Sequence, residues 1–71
     1  MSLSELRPGQ SATIGQIFAD DLRIQLLRFG IASGTRVTCH TRLPLGPVVL
    51  RFQGQEIAVG QTLARQIEIN A

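Results

Sequence analysis

Apolar and polar residues alternate along most of this chain in short runs broken by glycine and proline. Val37, Cys39 and Thr41 alternate with Thr38, His40 and Arg42, and Val48, Leu50 and Phe52 alternate with Val49 and Arg51. Ile57 and Val59 alternate with Glu56 and Ala58, and Ile67 and Ile69 with Gln66 and Glu68. A period of two sends successive side chains to opposite faces, so each run predicts a half-buried strand. An earlier strand, Ser11 to Ile17, follows the Pro8-Gly9 turn signal. Gly15 interrupts its alternation, which predicts a bulge that carries Ile14 and Ile17 to one face. Gln53-Gly54 reads as a tight turn, and the stretch from Gly60 to Ala64 has room for one helical turn only.

One segment has a different period. Leu22, Leu26 and Phe29 recur at helical spacing, and this spacing predicts that all three face the core. Asp20 is placed as the N-cap, Asp20 and Asp21 suit the positive end of the helix dipole, and Gly30 is placed to end the helix. At about 100° per residue, Ile24 and Leu27 fall on the opposite side, between Arg23 and Arg28. Two outcomes stand open for that outer face. Either Arg23, Ile24, Leu27 and Arg28 form a contact surface for a partner protein, or the 43–47 loop folds over the apolar pair and buries it.

Five short strands with one short helix between the first two predict a mainly β domain closed into a small barrel. At 71 residues the chain has room for a single domain, residues 1–71, with a thin core. Composition sharpens this in one respect. Charged residues are 17 % and hydrophobic ones 44 %, against about 25 % charged in ordinary soluble domains. So little charge predicts exposed apolar area and association with a partner, or weakly with itself. The formal charge is +2 and every basic residue is arginine, a side chain that suits protein interfaces as well as phosphates. No stretch approaches the ~20 apolar residues of a membrane span, and the first residues have no basic and apolar export pattern, so a cytoplasmic protein is expected.

Candidate chemistry is sparse. A single cysteine, Cys39, excludes an intramolecular disulfide and a two-cysteine metal knuckle. Cys39 and His40 are adjacent on a strand and therefore point to opposite faces, so they do not converge on one ion. Glu56 beside His40 would make at most a weak two-ligand surface site, and no functional metal site and no cofactor are expected. Ser33 lies outside any nucleophile-elbow pattern, and no phosphate-binding lysine loop exists in a chain without lysine, so no enzymatic activity is expected. Arginines at 7, 23, 28, 36, 42, 51 and 65 are scattered, and there is no tyrosine or tryptophan on which bases would stack, so no nucleic-acid partner is expected.

The order of punctuation resembles a known family. Leu6-x-Pro8-Gly9, then Leu26-x-x-Phe29-Gly30-Ile31-x-x-Gly34, then Pro44-Leu45-Gly46-Pro47, Gly54, Ile57-Ala58 and Ala64-x-x-Ile67 resemble the FeoA family of ferrous-iron transport accessory proteins in order and spacing. The chain departs from the family's pattern at Gly46-Pro47, where the family usually has an aspartate between them, and at Val59-Gly60, where it usually has Leu-Arg. The resemblance implies an SH3-like barrel. It also implies a non-catalytic accessory role, docked on the cytosolic part of a FeoB-type membrane iron transporter, and it carries no metal ligand set onto this chain. The alternative is a small regulatory domain acting on a metal-dependent transcription factor or on RNA.

Overall fold

The computed structural model describes residues 1–70. Five strands, β1 (Ser11–Ile17), β2 (Arg36–Arg42), β3 (Val48–Phe52), β4 (Gln55–Val59) and β5 (Ile67–Asn70), form one antiparallel sheet in the order β4-β3-β2-β1-β5. Helix α1 (Asp20–Leu27) joins β1 to β2, and the single turn α2 (Gln61–Ala64) joins β4 to β5. The inward residues of all five strands pack with Leu22, Leu26, Ile31 and Ala64 in one core. This is the mainly β architecture that the alternating runs predict. The sheet's two ends, β4 and β5, do not pair with each other.

The bulge forms where Gly15 stands. Register shifts between Ile14, opposite Ile69, and Ile17, opposite Ile67, and both isoleucines are buried. A second irregularity lies between Cys39 and Thr41, which pair with Leu50 and Val49, so His40 stands outside the register.

Two details of α1 differ from expectation. Its N-cap is Ala19, not Asp20: the Arg23 N–H donates to the Ala19 carbonyl at 3.0 Å, and Asp20 is already the first helical residue. The Asp20 carboxylate instead takes the Arg23 guanidinium at 2.9 Å. Phe29 is also not in the core; it is 42 % exposed. The helix ends before Phe29, and the chain leaves through a Schellman turn: Ile31 N–H donates to Leu26 O at 2.9 Å, Gly30 N–H to Leu27 O at 3.0 Å, and Gly30 has φ +83°. The last turn tightens, with Arg28 N–H on Gln25 O and Phe29 N–H on Leu26 O, and the left-handed Gly30 beyond it turns the chain inward, so that Ile31 is fully buried where Phe29 was predicted to be.

The first residues also join the core. Leu3–Glu5 form a 3-10 turn in which the Ser2 N–H donates to Glu5 Oε2 at 2.8 Å, one half of a capping box. That turn buries Leu3 and Leu6, and Ser2 bridges Glu68 on the outer edge of β5.

Candidate functional site

The outer face of α1 is open. Ile24 is 51 % and Leu27 54 % exposed. The 43–47 loop does not cover them; its own Leu43 and Leu45 are exposed, Leu45 fully and with a left-handed φ of +60°. Of the four sequence-predicted contact residues, Arg23 is tied to Asp20, whereas no carboxylate lies within ion-pair distance of Arg28 among the described residues.

Around the helix from that face lies a feature that the sequence did not reveal. A groove of about 250 Å³ runs between α1 and β4, walled by Leu22, Leu26 and Phe29 on one side, by Ile57 and Val59 on the other, and by Leu63 of α2. Leu22, Leu26, Ile57 and Val59 are core residues whose outer atoms form its floor, while Phe29 and Leu63 are half-exposed at its rim. Phe29 keeps to the side of Leu22 and Leu26, but it lies past the last α-helical residue, where the open groove leaves it half-exposed. Its carbonyl accepts a hydrogen bond from the Gln55 side chain at 3.3 Å, which ties the end of α1 to the start of β4. Arg28 stands next to Phe29 and one helical turn beyond Gln25, which also lines the groove. The exposed helix face and the groove are thus two separate apolar patches, with Gln25 and Arg28 between them on one side and Arg23 on the other.

The remaining polar chemistry lies on the sheet's outer face. His40 Nε2 and Arg51 Nη2 both approach Glu56 Oε2, at 3.5 and 3.0 Å. The Arg51 hydrogen bond, with the His40 charge second, holds the Glu56 carboxyl below its ordinary range. Cys39 is buried on the other face, and burial raises its thiol pKa, partly opposed by Arg42. Among the described residues no three histidine, cysteine or carboxylate side chains gather into a cluster that would hold a metal ion. No helix of the described residues is long and apolar enough to cross a membrane.

Comparison with known proteins agrees with this architecture. The FeoA domain family matches residues 1–71. The crystal structure of an iron uptake regulatory protein, FeoA, is similar at 26 % identity over 97 % of this chain and 93 % of that one, with a TM-score of 0.85. The solution structure of the FeoA protein from Chlorobium tepidum is similar at 27 % identity over 97 % of this chain and 68 % of its own, with a TM-score of 0.86. The zinc complex of Stenotrophomonas maltophilia FeoA, an SH3 domain protein, shares the fold at 24 % identity and a TM-score of 0.74, over 99 % of this chain and 89 % of that one. The search of curated proteins gives no match.

Proposed function

The chain belongs to the FeoA family, an SH3-like family associated with ferrous iron transport, and from that premise we propose that it is a non-catalytic accessory protein that docks on the cytosolic part of a FeoB-type transporter. What supports this reading is exposed apolar area at two places on the helix: Ile24 and Leu27 on its outer face, and the groove rimmed by Phe29 and Leu63. A thin domain loses stability by leaving apolar area in water, and a partner that covers it restores the loss. Arg28 and Arg23 on the same helix give that surface polar anchors of the kind enriched at interfaces.

The test is direct association of the purified chain with the cytosolic GTPase domain of a FeoB-type transporter from the same genome. Calorimetry is expected to give a saturable complex that the Leu27→Asp, Arg28→Glu double variant weakens by about a thousandfold, since a desolvated leucine and arginine each contribute about 2 kcal/mol. No association in either nucleotide state, or association indifferent to the double variant, would remove the reading.

A further inference from the structure

The two edges of the sheet are treated differently. The outer edge of β5 is covered: Ser2 bridges Glu68, and the Ile69 N–H donates to the Met1 carbonyl at 2.9 Å. The outer edge of β4 has no such cover. Its register follows from the turn that precedes it, Gln53-Gly54, with φ +48° and +78°, which closes the hairpin with Phe52 opposite Gln55. In a two-residue hairpin of this type the closing pair exchanges both backbone hydrogen bonds, and so does every second pair beyond it. Gln55, Ile57 and Val59 therefore turn their backbone groups toward β3, and Glu56 and Ala58 turn theirs outward. Among the described residues no loop, cap or side-chain hydrogen bond ends on the backbone of Glu56 or Ala58.

Those outward groups lie along the groove, which Glu56 and Ala58 help to line. One wall thus offers alternating N–H donors and C=O acceptors, and the facing wall is apolar apart from Gln25. Natural proteins usually guard a free edge with a proline, a bulge or a lysine. β4 has no proline or lysine and pairs with β3 in unbroken register. Its one charge, Glu56, is already held by Arg51 and His40 on the outer face.

We propose that the free edge of β4 receives an extended segment of a partner protein as a sixth strand, with its alternate apolar side chains in the groove and an acidic residue against Arg28. An extended backbone is the ligand whose hydrogen-bonding row matches Glu56 and Ala58. An amphipathic helix satisfies its own backbone and would leave that row unpaired. A polyproline segment needs an aromatic-lined groove, and Phe29 is the one aromatic in this lining. The acidic preference follows from the chain's net charge of +2 and from Arg28, which directly precedes Phe29 of the lining in the chain and has no ion-pair partner among the described residues. The inference rests on the reading of the domain as a docking module, but not on which protein supplies the strand.

The probe is a display library of random peptides of about twelve residues, more than twice the reach of β4, selected against the intact chain. Enriched sequences are expected to carry apolar residues at every second position and an Asp or Glu at one end. An enriched peptide is expected to slow hydrogen exchange at the Glu56 and Ala58 amides at least about tenfold, with little change at Ile57, whose amide is already paired. Ala58→Pro removes an outward N–H at an edge position that tolerates proline, and should abolish binding. If that variant does not fold, Leu63→Glu, a half-exposed position, together with the amide exchange decides. Enrichment of helical i, i+3, i+4 spacing, no enrichment, or binding and exchange indifferent to these changes would overturn the inference. So would a dimer joined through β4 in sedimentation. Transporter association is a separate measurement. Its failure with peptide capture intact removes only the partner proposed above, and peptide failure with association intact removes only the added strand.

Discussion

His40 Nε2 on β2 lies 3.5 Å from Glu56 Oε2 on β4, two strands away, with Arg51 of the intervening strand 3.0 Å from the same oxygen. The row crosses the sheet because Arg51 pairs directly with Glu56 and the irregularity beside Cys39 releases His40 from the register. The Glu56 carboxyl is held below its ordinary range, first by the Arg51 hydrogen bond and then by the His40 charge. A depressed carboxylate stabilises the fold above its unfolded pKa, and that contribution disappears as pH falls through the lower folded value. Carboxyl titration by NMR is expected to show the Glu56 midpoint rising in Arg51→Met and rising less in His40→Ala. An unmoved midpoint in Arg51→Met would contradict the assignment.

The same pair gives a prediction for metal. Two exposed donors make a poor site for a divalent ion, and the nearest thiol, Cys39, is on the opposite face. Anaerobic calorimetry with Fe²⁺ is expected to give no one-to-one binding at micromolar affinity. Such binding, lost in His40→Ala, would show that the sheet's outer face is a metal site.

The amino-terminal turn is predicted to be structural. Leu3 is fully buried, so Leu3→Ala removes a core side chain and is expected to cost about 2–5 kcal/mol. That is a large share of a small domain's stability, and urea unfolding should show a midpoint shifted well down or no folded baseline. A loss below about 1 kcal/mol would mean that the turn frays in solution.

Gly15 is predicted to resist substitution for a local reason. A Cβ there would sit 3.2 Å from the Glu68 carbonyl oxygen and 3.0 Å from its side-chain Oε1. The side chain can swing away; the β5 backbone must shift. Gly15→Ala is expected to cost about 1–3 kcal/mol, and in a domain of this size each kcal/mol lowers the melting temperature by roughly 4–8 °C. An unchanged melt would show that the bulge has slack.

Leu27→Asp with Arg28→Glu is predicted to leave the melting temperature nearly unchanged. Both side chains project from the open face of α1, where surface substitutions stay within about 0.5 kcal/mol. A collapse in the thermal melt would mean that the 43–47 loop closes over Leu27 in solution.

What was legible in the sequence was local. Strand alternation depends only on the period of side chains along an extended backbone, so the five strands, the Gly15 bulge and the opposed faces of Cys39 and His40 were all readable from it. Helical spacing likewise marked Leu22 and Leu26 as core, and Ile24 and Leu27 as a face awaiting either a loop or a partner. The choice between those two belonged to the tertiary structure, because helical spacing says which side of the helix a residue faces and not what lies across from it. Phe29 is the clearest failure of periodicity. A pattern of i, i+4, i+7 holds only while the helix continues, and the left-handed Gly30 gave the core place to Ile31. Leu3 and Leu6 carried no period, although Ser2 and Glu5 stood at capping-box spacing on either side of Leu3. The groove was invisible in the sequence for a deeper reason. Its walls come from α1 and from β4 and α2, which lie far from α1 in the chain, and a free strand edge exists only once pairing has decided which strand ends the sheet.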